Sequence, residues 1–270
     1  MSLTIRFLLY VTQWIAISKT EHAELLYWPR DGYHFTKGQQ VVPVVLAELG
    51  KLMPHYTLGF VKEQEAYVPV ALIGLGQGNL YLHPEGKWLG SYVPAALRGY
   101  PFRLAKQEEQ TVLCIDQEQL TDEPSAKPLF DEEGQLASSV AQTIEFLQKC
   151  EENRQLTAAC VGKLAAAGVI EPWPLQIGRG EGQEPLQVNG LHRISEQALN
   201  ALDAETLHGL RGGPLSLAYA QMLSTHQLSQ LTQRAELLAN AASTQDVPEN
   251  LDSVLDGAGD DDELMFDFDS

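Results

Sequence analysis

With 270 residues, 44% of them hydrophobic, the chain can bury a sizeable core as one large domain or two small ones. A formal net charge of −18 argues against nucleic acid or an anionic membrane surface as a general partner, since both are polyanions. More than half of that excess lies between Asp246 and Ser270, where ten Asp or Glu and no Lys or Arg occur. Cys114, Cys150 and Cys160 have neither zinc-ligand spacing nor the density of a disulfide framework, so they read as reduced thiols, with the cytoplasm as compartment.

The chain opens with "MSLTIRFLLYVTQWIAISK", an apolar run broken by Thr12 and Gln13. It is too short and too polar to span a bilayer, and a cytoplasmic start is preferred to a signal peptide although Ala16 and Ser18 imitate a cleavage site. Val11 is an alternative natural start. Trp28-Pro29 and Asp31-Gly32 mark turns. Beyond Pro43, the residues Val44, Leu46, Leu49 and Leu52 predict a short helix closed near Gly50 or Pro54. "HYTLGFVK" predicts a strand. Tyr67 to Leu75 predicts another, buried on both faces and lying at an edge or bulged at Pro69, which has no ladder donor. "GLGQGN" at 74–79 is a glycine cluster, but no helix follows to aim its amides at a phosphate, so nucleotide binding is not expected. "NLYLHPEGKWLG" predicts strand, turn and strand.

"YVPVALIG" at 67–74 and "YVPAALRG" at 92–99 share six of eight letters. The first, among valine and isoleucine, predicts a core strand. The second, with Pro94 near its start, Ala95 in the middle and Gly99 at its end, predicts a short capped helix. "YPFRLAK" and "TVLCID" predict strands. From about Leu129 the pattern becomes helical: Val140, Ile144, Leu147, Leu156, Cys160 and Leu164 predict one long or two consecutive amphipathic helices up to Gly168. "VIEPWPLQIGRGEGQEPLQVNGLHRIS" predicts a hairpin around a Gly-rich loop. Ser195 and Asp203 cap two short helices, and Gly212-Gly213-Pro214 starts a final helix or helix pair with a joint at Ser224.

These elements predict an α+β fold, a mostly antiparallel β-rich N-terminal half packed with a helical C-terminal half, plus a disordered acidic tail. One domain covers 1–245, β-rich over 20–125 and mainly helical over 130–245, and the tail is 246–270. Within the tail, Leu264, Met265, Phe266 and Phe268 set among acids form a candidate docking segment for a basic-rimmed apolar groove.

Candidate chemistry is sparse. His83-Pro84-Glu85 has the H-x-E form that begins a two-histidine, one-carboxylate iron site, with His192 as a second ligand, but a turn explains Pro84 better. G-x-S-x-G is absent. Cys114 with a distant histidine can be drawn as a thiol pair but reads better as a small core residue, and Asp116 with Glu118 reads equally well as paired carboxylates or as a solvated face. The best candidate surface is Trp88, Tyr92, Arg98, Tyr100, Phe102 and Arg103, because aromatics with arginine suit a recognition hot spot or an anion-lined cleft. The competing reading is that Trp88, Tyr92 and Phe102 cap the core.

Four phrases in order, "PVVLAELGKLMPHYTLGFVK", "YVPVALIGLGQGNLYLHPEGKWLGSYVPAALRGYPFRLA", "LCID" and "LSLAYAQMLS", resemble the SapC family over roughly residues 20–240. The resemblance implies a link to the bacterial surface layer or its secretion, and it brings no reaction and no catalytic residues. The family's "YVPAALR-YPF" phrase falls on Tyr92 to Arg98 and Tyr100 to Phe102, with Gly99 where many relatives carry another arginine, a departure that would weaken an anion contact if one exists there. The expected function is a non-enzymatic accessory or binding protein of the cytoplasm. It would take a protein or peptide partner and no cofactor, bind no nucleic acid and span no membrane. The alternative is an enzyme of unassigned reaction, with a pocket around Tyr92, Arg98 and Tyr100 and a metal at His83 and Glu85.

Overall fold

A computed structural model describes residues 2–4, 13–76, 78–108, 110–177, 186–244, 250–252 and 255. The expectations for the start at Val11, for the Gly-rich loop 178–185 and for Leu264, Met265, Phe266 and Phe268 lie outside the described residues.

The first half carries β1 (Ser2–Thr4), β2 (Trp14–Ala16), the one-turn helix α1 (Lys19–His22), β3 (Leu26–Tyr27) and β4 (Val41–Pro43). A short 3-10 turn then leads into α2 (Leu49–Leu52), as the Pro43 signal predicts. β5 (Leu58–Glu63) and β6 (Ala66–Leu72) follow, then α3 (Ala95–Arg98), β7 (Phe102–Gln107), β8 (Gln110–Asp116), β9 (Leu120–Thr121) and β10 (Lys127–Pro128). The second half is α4 (Ser138–Ala166), β11 (Ile170–Pro172), β12 (Leu175–Ile177), β13 (Leu186–Asn189) and β14 (Leu191–Ile194). Four helices close it: α5 (Glu196–Asn200), α6 (Ala204–Gly209), α7 (Gly213–Ser224) and α8 (Leu228–Thr244). The α+β class holds, and its pairings are antiparallel except that β1 runs parallel to β13.

The main sheet has the order β11-β14-β5-β6-β4, and a second has β2-β8-β7. Pro69 explains where the first stops. It lies opposite Phe60 on β5 and ends the β4 register, which covers only Val70 to Leu72 of β6. Lacking an N–H, Pro69 accepts from the Val44 amide at 3.0 Å and offers nothing back, so β4 turns away there. Ala66 to Val68 therefore extend past β4 with a strand partner on the β5 side alone, among the described residues.

The predicted strand pair around the Pro84 turn reduces to a single bridge, Leu82 to Trp88. The glycine cluster serves close packing: a β-carbon on Gly74 would lie 2.0 Å from the Gly78 carbonyl oxygen, and Gly78, at φ +127°, approaches the Lys37 carbonyl.

α4 is one helix of 29 residues, stopped by Gly168 in the left-handed region at φ +70°. Its buried face differs from the predicted one in its second half. Leu164 faces inward as predicted, but Leu156 is 61% exposed, and Thr157 and Val161 face inward in its place. Seven residues are nearly two full turns, so 157 keeps phase with 164, while 156 points about 80° away. The helix spans two hydrophobic clusters. Val140, Ile144 and Leu147 pack into a small one around Tyr27, Phe102, Ile115 and Leu129, and Val161 and Leu164 into the large one built on β5 and β6. Between these halves the same face carries Cys150, Glu151 and Arg154.

α7 and α8, with a 3-10 turn after Ser224 as the predicted joint, cover the large cluster. Gln221 accepts from the Ile194 amide at 2.8 Å and donates to the Leu58 carbonyl at 3.2 Å, and Ser224 Oγ accepts from the Leu58 amide. These bonds satisfy buried backbone groups where helix meets sheet.

The predicted tail boundary needs one correction. Leu251 is fully buried, Asp252 is 2% exposed and Leu255 is buried too. Asp252 accepts from the Ser91 amide and forms an ion pair with Arg234 of α8, which is wholly buried with its guanidinium 4.2 Å from the Tyr81 ring centroid. His55 Nδ1 stands 3.5 Å from the same carboxylate. Composition averages the acids of 246–270 together, and this one has a buried cation to meet. The tail's other residues, apart from Asn250, lie outside the described ones.

Candidate functional site

Where the two clusters meet, they leave a groove of about 600 Å³, within the size range of ligand sites. One side is the edge of the main sheet: Val41 to Val45 around β4, and Tyr67, Val68 and Pro69 of β6. The other is β7, an edge strand among the described residues, through Phe102, Arg103 and Leu104. α4 packs across both β6 and β7 and contributes Leu147, Cys150, Glu151, Arg154, Thr157 and Ala158. Ala95, Ala96 and Leu97 of α3 close part of the rim. Both copies of the repeated phrase thus border one groove, the first as strand edge and the second as short helix.

The six candidate residues divide. Tyr100, Phe102 and Arg103 line the groove. Tyr100 stacks on Phe35 at 4.0 Å, its hydroxyl donating to Asp116 at 2.7 Å, and burial with that carboxylate pushes its pKa up. Phe102 is 4% exposed and meets Tyr27 edge to face, so it belongs to the core as well. Arg103 lies over the Trp14 ring at 4.4 Å. Trp88 sits elsewhere, in an aromatic cluster with Tyr33 and Tyr81, its indole N–H donating to Tyr56 and to the Tyr92 carbonyl. Tyr92 and Arg98 stand behind the groove rather than in its lining, joined to it through Glu48.

Glu48 is the polar centre that the sequence left unmarked. It is 4% exposed and lines the groove, and its carboxylate accepts from the Val45 and Ala95 amides at 3.1 and 2.8 Å and from the Tyr92 hydroxyl at 3.1 Å. Arg98 donates to that hydroxyl at 2.9 Å. Burial outweighs these donors and raises the Glu48 pKa, and burial next to Glu48 pushes Tyr92 up to about 12. The available signal was a glutamate three residues into a turn, reaching back to the amide that opens it. Gln40 also lines the groove, and its side-chain carbonyl is buried without a hydrogen-bond partner among the described residues.

Several expectations change here. Asp116 is 3% exposed and accepts from Tyr100 and from the Glu118 amide, so it is a buried anchor instead of a solvated face. Gly99 has an ordinary helical φ of −78°. A β-carbon there would lie 2.5 Å from Leu147 Cδ2, so the position faces α4. Cys114 is buried, and burial raises the thiol pKa of Cys114, Cys150 and Cys160 alike, opposing thiolate formation. His83 and Glu85 share a turn in which His83 Nδ1 accepts the Glu85 amide, and His192 packs against Tyr67. No group of three or more His, Cys, Asp or Glu side chains suited to a metal occurs among the described residues. No helix among them is long and apolar enough to cross a membrane.

The fold and groove define an α+β protein with an apolar seam between two sheet edges under one long helix. The SapC family model matches residues 17–231, and the chain belongs to that family. No curated protein and no solved structure matches it.

Proposed function

We propose that this SapC-family chain is a non-catalytic binding protein that holds an extended, alternately apolar segment of a partner polypeptide in the groove. The carrying observation is the pair of strand edges, Ala66 to Val68 on β6 and the outer side of β7, bordering an apolar channel. An extended chain laid along such an edge gains main-chain hydrogen bonds, while its alternate side chains enter the apolar lining. The unpartnered Gln40 carbonyl suits a donor from that chain, and Glu48 with Arg98 and Tyr92 supplies a polar end. The raised thiol pKa values weigh against a thiolate nucleophile. Through the family, such a partner belongs to surface-layer assembly or export.

Selection from a random peptide library tests this. The expected ligands alternate apolar and polar residues, and they lose binding to the Ala158→Trp protein, because Ala158 is an exposed groove residue that a large ring would fill without touching the core. A selection that returns no ligand sensitive to Ala158→Trp overturns the proposal.

A further inference from the structure

We infer that the chain's own C-terminal segment, Leu264 to Phe268, occupies this groove in cis and competes with the partner for it. The inference rests on the groove reading above and deepens it by naming a regulator. Its first support is sequence. In "ELMFDFDS" the residues Leu264, Phe266 and Phe268 alternate with Met265, Asp267 and Asp269, the period-2 pattern of an extended chain with one apolar face. The groove's apolar lining accepts that face, and Arg103 lies along it for an interleaved acid, while Arg154 is paired with Glu151 and Glu48 and Glu63 line the groove too.

The second support is where the described chain stops. Asp252 is fixed to the Ser91 amide and Arg234, and Leu255 is buried. Ser91 is four residues from Ala95, which lines the groove, so at most about 14 Å separates them. The nine residues from Leu255 to Leu264 reach about 30 Å when extended, enough even if Asp252 to Leu255 runs the wrong way. The anchor thus delivers the segment within range of the groove. Tethering of this length gives an effective concentration of about 1 mM.

The probe is a fluorescently labelled peptide with the sequence of residues 260–270, titrated into the full chain and into the full chain carrying Leu264→Ser, Phe266→Ser and Phe268→Ser. The triple variant is expected to bind it and the unsubstituted chain to bind it at least about tenfold more weakly; for a peptide dissociation constant of about 10 μM the tether gives a factor of about 100. Adding Ala158→Trp to the triple variant removes binding while the thermal transition is kept. Equal affinity for both chains overturns cis occupancy, as does binding that Ala158→Trp leaves unchanged. Weakening that grows with protein concentration together with a dimer in sedimentation overturns it too, since the segment then docks in a second copy. If the triple variant binds library-selected ligands but not this peptide, the inference fails and the groove reading stands; if it binds neither, both fail.

Discussion

Replacing Asp252 with alanine strands the Arg234 guanidinium in the core. Arg234 is 0% exposed, lies over Tyr81 and is ion-paired to Asp252, and the same carboxylate accepts the Ser91 amide. Breaking one side of a buried pair costs about 3–5 kcal/mol, because the remaining charge keeps its desolvation penalty without compensation. For a chain of this size that lowers the thermal midpoint on the order of 10 °C. Urea unfolding of the Asp252→Ala protein checks the free energy, and a thermal scan checks the midpoint. The double variant Arg234→Met with Asp252→Leu should recover most of the loss, since an apolar pair of similar volume removes both charges. A loss below about 1 kcal/mol for Asp252→Ala, the size of an exposed ion pair, would refute the reasoning and place residues 250–255 in solvent.

Glu48 carries a pH signature. Burial raises its folded pKa above the unfolded value, so its contribution to stability is full below the unfolded pKa and is lost as pH rises through the folded one. Stability of the unsubstituted chain relative to Glu48→Gln should therefore fall from pH 4 towards neutrality; a relative stability that rises over that range shows that the amides, Tyr92 and Arg98 win. Among the glycines, Gly74→Ala should destabilise far more than Gly99→Ala, because the first meets a rigid carbonyl and the second a movable Leu147 methyl worth about 1 kcal/mol; equal urea midpoints would contradict this. Alkylation of Cys114, Cys150 and Cys160 by iodoacetamide at pH 7.5 should be slower than that of free cysteine, and a fast Cys150 would revive the enzyme reading.

Much of the fold was legible because local patterns agree with it. The Val-rich run after Tyr67 became β6, the three-and-four spacing after Val140 became α4, and Gly168 ended it. The groove was not legible, since its lining comes from β4, β6, α3, β7 and α4, which are separated by tens of residues and brought together only by the sheet order. One trace does exist in the sequence. The inward face of α4 turns polar at Glu151 and Arg154 between two apolar halves, which a continuous core would not tolerate. Asp116 and Asp252 were misjudged for a shared reason: a carboxylate's burial depends on the donor it meets, here Tyr100 and Arg234, neither of which lies beside it in sequence.

The way Pro69 ends the β4 pairing bears on how the chain avoids its own kind. An unpaired strand edge recruits strands from other copies, and two such edges among the described residues, Ala66 to Val68 of β6 and the outer side of β7, border the groove. Both open inward beneath α4, and Pro69 withholds one donor at the point where β6 emerges. Edge-to-edge stacking of whole molecules at these two edges is thereby hindered, while the single extended segment of the proposed function would still have access. On the proposed function, selectivity for a lone chain over a folded sheet then comes from Pro69 and from the cover that α4 gives.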